Sequence, residues 1–195
     1  MTEARRQLAY FPNDVWLYKI ACQWRRISEE QAFVGRAGYA GDELGSRVIA
    51  SRLVRDVMRL GFLLDRRYAP YAKWLGSAFV RLPIAAELAA ILNEALLAED
   101  WRARQDKLAA AYLVLARRQL ADGVGGTFEP IVGPYFGRPF TTINADAAIK
   151  ATVESIGDPL VRRLPVMGSV DQLTDLTPIL EEPRRSHATM SALLG

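Results

Sequence analysis

The chain has one cysteine and one histidine, and each scarcity closes off chemistry. With Cys22 alone there is no disulfide framework, so a reducing cytoplasm is the expected compartment. Cys22 falls on the apolar face of a helical pattern and reads as a small buried residue rather than a reactive thiol. One Cys and one His exclude a metal site built from those ligands. His187 lies in the polar string RRSHATM, a poor place to hold a Ser–His–Asp or Cys–His geometry. Helical ribonucleases that place a histidine a few residues after an arginine are excluded as well, because Arg184 and Arg185 crowd His187. No run of 18 apolar residues is present for a membrane span, and the start MTEARRQLAY has no apolar signal-peptide core. The phosphate-binding patterns G-x-x-x-x-G-K-[ST] and G-x-G-x-x-G are missing. Net charge is only +3, from 25 Lys+Arg against 22 Asp+Glu, so nucleic acid is not an expected partner. The basic side is almost all arginine, which reads first as the bias of a GC-rich genome and second as recognition of phosphate or carboxylate.

What is present is helix. Between Pro12 and Pro70 there is no proline, and apolar residues recur at helical spacing. Asn13 or Asp14 is placed to cap a long helix with the stripe Val15, Leu17, Ile20, Ala21, Trp24, Ile27 and Ala32, ending between Arg36 and Gly41. Arg25 with Glu29 and Arg26 with Glu30 are spaced as i, i+4 pairs on its wetter side. Asp42 caps a second helix with the stripe Leu44, Val48, Ile49, Ser51, Val54, Val57, Met58, Gly61, Phe62 and Leu64. Two long helices joined by a glycine turn make an antiparallel hairpin, and Gly61 reads as a point of close approach. Further helices are expected from Tyr71 to Leu82, from Pro83 to about Glu99, and from Trp101 to Ala121. Before them, Thr2 could cap a short helix through Leu8. Residues 123–138 read as a loop, and Pro139 to Asn144 as a short extended segment. Asn144 or Asp146 caps a last helix to Ile156, stopped by Gly157 and Pro159. The tail 158–195 is expected to pack over the bundle or form short helices, its last ten residues mobile. The fold class is therefore all-α, one domain of 195 residues: a helical bundle (1–122) built on the long hairpin, with a short extended segment and an irregular C-terminal tail.

An all-carboxylate magnesium site fails on inspection. Polymerase-beta-type nucleotidyltransferases need Gly-Ser and then an Asp-x-Asp pair. Gly45-Ser46, Gly76-Ser77 and Gly168-Ser169 occur here, and none is followed by such a pair. No catalytic residues, cofactor or metal are assigned to this chain by itself.

Charged residues beside the apolar stripes are the positive signal. Asp42, Glu43, Arg47, Arg52, Arg55, Asp56 and Arg66 follow the second helix as a strip, either a solvated face or a polar cleft for a charged small molecule. The corner Arg66-Arg67-Tyr68-Ala69-Pro70-Tyr71-Ala72-Lys73-Trp74 is denser, with cations to grip phosphate and rings to stack, or simply aromatics plugging the core end. The Arg138-Pro139-Phe140 corner reads mainly as a turn.

The strings FPNDVWLYKIACQWRRISEEQAFVGR, GDELGSRVIASRLVRDVMRLGFLLDRRYAPYAKWLGSAFVRL, YFGRPFTTINA and GSVDQLTD resemble the C-terminal half of the bacterial domain of unknown function family 4037, from about Arg5 to Asp175. That resemblance implies an all-helical domain which elsewhere follows a nucleotidyltransferase-like domain of the polymerase-beta superfamily. More distantly, the Arg-Tyr-x-Pro-Tyr-x-Lys-Trp-Leu corner (Arg67–Leu75) is similar to one in the helical substrate-binding domains of aminoglycoside adenylyltransferases. The resemblance thus implies a substrate-binding set of Glu30, Arg36, Asp42, Glu43, Arg47, Arg52, Asp56, Arg66, Tyr68, Tyr71, Lys73 and Trp74. It also implies that the catalytic domain is lacking here, through truncation or a split gene, so that Mg and nucleotide enter only if a partner supplies that domain. The expected partners are a small-molecule or nucleotide ligand, a nucleotidyltransferase domain, or a second copy, with no membrane. The alternative reading is a protein–protein interaction module, a homodimer or the partner of a separately encoded nucleotidyltransferase, as in toxin–antitoxin pairs.

Overall fold

The computed structural model describes residues 3, 5, 9–168 and 182–194. The predicted helix from Thr2 to Leu8 falls mostly outside them, as does most of GSVDQLTD. α1 (Asn13–Tyr39) is the axis of the molecule, and α2 (Glu43–Leu64) runs back along it. α1 buries Trp16, Leu17, Ile20, Trp24, Ile27 and Val34, and its polar Gln23, Arg26, Glu30 and Gln31 are buried too. A helix buried on most of its circumference needs neighbours on several sides. They are α2, α5 (Trp101–Ala121) and α6 (Ala145–Glu154). α3 (Ala72–Phe79) and α4 (Ala85–Leu97) connect α2 to α5 and close the core with Leu75, Phe79, Leu88 and Leu92.

The all-α bundle on an antiparallel hairpin is therefore observed, and the local signals differ in how they are used. Asp42 caps α2 as expected, its Oδ1 accepting from Gly45 N at 2.7 Å. Asn13 and Asp14 do not cap α1: Pro12 holds the N-cap position with no side-chain bond. Asp14 Oδ2 instead accepts the amide of Asp158 at 2.6 Å, which lowers its pKa from the ordinary carboxylate value. The α2 stripe is correct from Val54 onward; before it, only Ile49 packs against the core. Leu44, Val48 and Ser51 face outward, because the helices approach closely near their turn and the small Ser46 and Ala50 take the inner face. Ser46 Oγ donates to the Val34 carbonyl at 2.8 Å. Gly61 is a close approach as predicted, though to a side chain: a Cβ there would meet the Phe79 ring at 3.1 Å. Cys22 is buried.

Three long helices end in the same way. In α1, Gly41 N bonds Gly38 O and Asp42 N bonds Ala37 O; in α5, Gly123 N bonds Leu120 O and Val124 N bonds Gln119 O; in α2, Arg66 N bonds Leu63 O and Arg67 N bonds Phe62 O. This is the Schellman closure, which puts the residue after the cap in the left-handed region. Gly41 (φ 86°) and Gly123 (φ 66°) adopt it without steric cost, whereas the third position is Arg66 (φ 50°).

Residues 123–138, read as loop, contain β1 (Val132–Pro134), which pairs antiparallel with β2 (Thr141–Ile143), Val132 opposite Ile143. The second edge of β2 is met by Gln31 of α1, whose Nε2 donates to Ile143 O and whose Oε1 accepts Ile143 N, both at 2.9 Å. A three-residue strand is too short to announce itself, and an amide on a helix supplies its missing neighbour. Asn144 does not cap α6 but ties the loop, accepting Ile131 N at 2.8 Å and donating to Glu129 O at 3.0 Å. Pro159 does not simply stop the chain; it opens the short α7 (Pro159–Arg162), capped by Asp158. The helix expected from Tyr71 to Leu82 ends at Phe79, and the one expected from Pro83 begins at Ala85, after a tight turn. α8 (Pro183–Leu194) covers most of the end predicted to be mobile, with His187 exposed on it.

Candidate functional site

The twelve residues implied by the resemblance fall into separate neighbourhoods along the hairpin. Midway, Glu30 and Asp56 meet between α1 and α2. Arg26 Nη1 and Arg52 Nη2 both donate to Glu30 Oε1 at 2.7 Å, and Arg26 Nε lies 3.5 Å from Asp56 Oδ2. Gln23 Nε2 bonds Asp56 Oδ1 at 3.2 Å. Asp56 is 1 % exposed, and burial raises its pKa against the pull of Arg26 and Gln23. Tyr112 closes the cluster from α5. Its hydroxyl makes no hydrogen bond among the described residues, and burial first, then Asp56 and Glu30, push its pKa well above the usual value. The Arg26–Glu30 pair predicted for the wetter side is buried because α2 and α5 cover it. Arg25 turns from Glu29 to Asp146 of α6, at 3.0 Å. Only Arg52 of this group, with half its side chain in solvent, is open to a ligand.

At the turn of the hairpin, Asp42, Glu43 and Arg47 are engaged in structure. Glu43 Oε2 accepts from Arg104 Nη1 at 3.1 Å, and Arg47 Nη2 donates to Glu99 O at 3.0 Å. Arg36 lies over the Phe33 ring, 5.2 Å from its centroid. Tyr71, Lys73 and Trp74 are exposed on α3 and its approach, Lys73 Nζ standing 5.0 Å from the Trp74 ring centre.

The remaining pair, Arg66 and Tyr68, sits at the opposite, open end. Tyr68 packs with Tyr10 and Phe11 in a triangle of rings 4.8–5.1 Å apart. The Arg66 guanidinium lies 4.1 Å from the Trp16 ring centre and 5.5 Å from that of Tyr10, within cation–π reach. It makes no hydrogen bond or ion pair among the described residues. Trp16 is fixed by its own indole N–H, which donates to Leu63 O at 2.7 Å.

Arg66 lines a recess of about 520 Å³ walled by Asn13, Trp16 and Leu17 of α1, Leu64 of α2, and the run Asp122–Gly126, with Ser155 at its rim. That size suits a small molecule. Gly123, Gly125 and Gly126 all have positive φ, and Gly125 packs where a Cβ would lie 2.7 Å from Thr152 Oγ1. The acid on the wall is already engaged: Asp122 Oδ2 accepts from Arg118 Nε at 2.6 Å, and Arg118 Nη2 reaches Asp65 Oδ1 at 3.1 Å.

Of the recess residues, the resemblance names only Arg66. Leu17 read as core, and Asp122-Gly123 as a helix stop; both are true and neither announces a wall. The usable signal was the run GVGG after a helix end together with a non-glycine at the corresponding position of α2. No group of three or more His, Cys, Asp or Glu among the described residues could hold a metal ion. No helix among them is long and apolar enough to cross a membrane.

No curated protein and no solved structure matches the chain. The model of one family does, over residues 1–75, which takes in the hairpin, the Arg66–Trp74 corner and the start of α3. Over that stretch the chain is similar to the family described as Domain of unknown function (DUF4037).

Proposed function

We propose that the chain is a substrate-binding or accessory helical domain of a nucleotidyltransferase-like protein, with no catalytic residues of its own and its ligand seat in the open-end recess. The carrying observation is that recess, about 520 Å³, with the hydrogen-bonding edge of Arg66 unused on its wall. Leu17, Leu64 and Val124 line it beside Asn13, Asp122, Ser155 and glycine backbone, a wall that is polar and apolar in about equal measure. The similarity over residues 1–75 agrees with this reading without supplying an activity. Calorimetry with nucleotides and with an aminoglycoside tests it, alongside adenylyl transfer with and without a separately supplied catalytic domain. Binding without transfer supports the proposal, and full transferase activity from this chain alone overturns it.

One observation favours an interaction module instead: Tyr71, Trp74 and Val80 are each half or more exposed around the short α3. Light scattering of wild type and a Trp74→Ser variant separates the two. A dimer lost in the variant favours the module, and a monomer in both removes the homodimer.

A further inference from the structure

We infer that the recess recognises an oxyanion, a phosphate or carboxylate group carried by a small molecule, with Arg66 as its principal binding residue. This rests on the reading that the recess is the ligand seat. Three sets of donors belong to residues that line it. The first is Arg66, whose contacts to Trp16 and Tyr10 hold the cation without using its N–H groups. A planar guanidinium with a free edge matches two oxygens of a phosphate or carboxylate. The second is the glycine run: the amides of Gly125 and Gly126 donate no hydrogen bond among the described residues, and both residues line the recess. Successive amides in such positive-φ turns make concave anion seats. The third is the start of α1, where Asn13 lines the recess and no side chain caps the first turn.

The acids nearby weigh against an anion, and their arrangement limits that effect. Asp122 and Asp65 share Arg118, so each carboxylate is already paired, while Asp14 is turned to the Asp158 amide. Arg66 is left as the cation on the wall without a carboxylate partner.

The test uses the full chain titrated with inorganic pyrophosphate, with citrate and with an aminoglycoside, followed by amide NMR shifts and calorimetry. Saturable binding of pyrophosphate or citrate is expected, with shifts at Gly125, Gly126 and Arg66, and the stronger of the two identifies phosphate or carboxylate as the group recognised. Arg66→Gly should weaken that binding about tenfold or more, the loss of a charge-assisted bond. Its melting midpoint should stay within about 3 °C of wild type. Arg66→Lys should retain part of the affinity. Equal anion affinity in Arg66→Gly overturns the inference. Binding of the aminoglycoside with neither anion overturns it and leaves the recess as a ligand seat, whereas binding of none of the three overturns both.

Discussion

At the turn end of the hairpin, the buried Arg104 has hydrogen-bond partners inside the fold; at the open end, Arg66 has only rings. Arg104 is fully buried beside the turn, yet its Nη1 donates to Ser46 Oγ at 2.6 Å and to Glu43 Oε2, and its Nη2 donates to Ala98 O at 3.0 Å. Gly38 packs so tightly on Trp101 that a Cβ would run into that side chain. Tyr39, Trp101 and Phe140 enclose the region with ring centres 6.0–6.3 Å apart. Arg66 also stacks on aromatic groups but keeps its donors and faces an open recess. The arginines at the two ends of the hairpin, Arg104 from α5 and Arg66 after α2, thus separate by what their nitrogens do. A buried guanidinium must be hydrogen-bonded or it costs several kcal/mol, so Arg104 has structure as its explanation. An exposed one has no such requirement, and its conformation needs another account.

The largest expected effect tests the closed end. Arg104→Met removes the cation and leaves Ser46 Oγ and Glu43 without it, at a cost of about 3 kcal/mol. Urea denaturation measures this. A loss below about 1 kcal/mol would mean that the turn end is held by its aromatic packing and that the contrast with Arg66 is weaker than drawn.

The second test lies midway between the ends. Burial sets the folded pKa of Asp56 above the ordinary 3.8, so between those two values the folded state binds a proton that the unfolded state has released. The contribution of Asp56 is therefore most favourable below the unfolded value and falls as pH rises through the folded one. Asp14 and Asp100, whose pKa values are lowered by backbone N–H groups, work in the opposite sense, losing stability as pH falls. Urea midpoints of wild type and Asp56→Asn from pH 4 to 7 isolate the first trend. The wild type should lose stability relative to the variant as pH rises. Parallel curves would show that the ion pairs to Arg26 cancel the burial, making the middle of the hairpin as fully compensated as its turn.

How far the sequence reading reached follows the range of each interaction. The hairpin, the Asp42 cap and α5 were legible because apolar spacing and caps act within a few residues. Where a polar side chain serves a distant segment, reading failed. Asp14 and Asn144 look like caps and are spent on chain 144 and 13 residues away. Gln31 looks like surface and completes a strand 112 residues on. Leu44 and Val48 kept the period of a stripe but not its phase, since phase depends on how close α1 lies. For the candidate site, charge on the hairpin drew attention to Arg66, while the recess around it is assembled from α1, the end of α2 and the chain that follows α5 and α6, and is invisible in any one segment.

The smallest expected effects sharpen the comparison at the helix ends themselves. Gly41, Arg66 and Gly123 hold the same left-handed position in three Schellman closures, and at both glycines a Cβ would meet nothing within 4 Å. Gly41→Ala and Gly123→Ala isolate the backbone cost, about 1 kcal/mol each. Arg66→Gly should recover a similar amount, and it gives up an exposed cation–π contact of about 0.5–1 kcal/mol. The two nearly offset, leaving its thermal midpoint close to wild type in differential scanning calorimetry. A side chain that is nearly neutral for stability, in a backbone conformation that favours glycine, is not explained by folding. A loss of 2 kcal/mol or more in Arg66→Gly would reverse that argument, making Arg66 a structural clamp on Trp16 and the two ends of the hairpin alike.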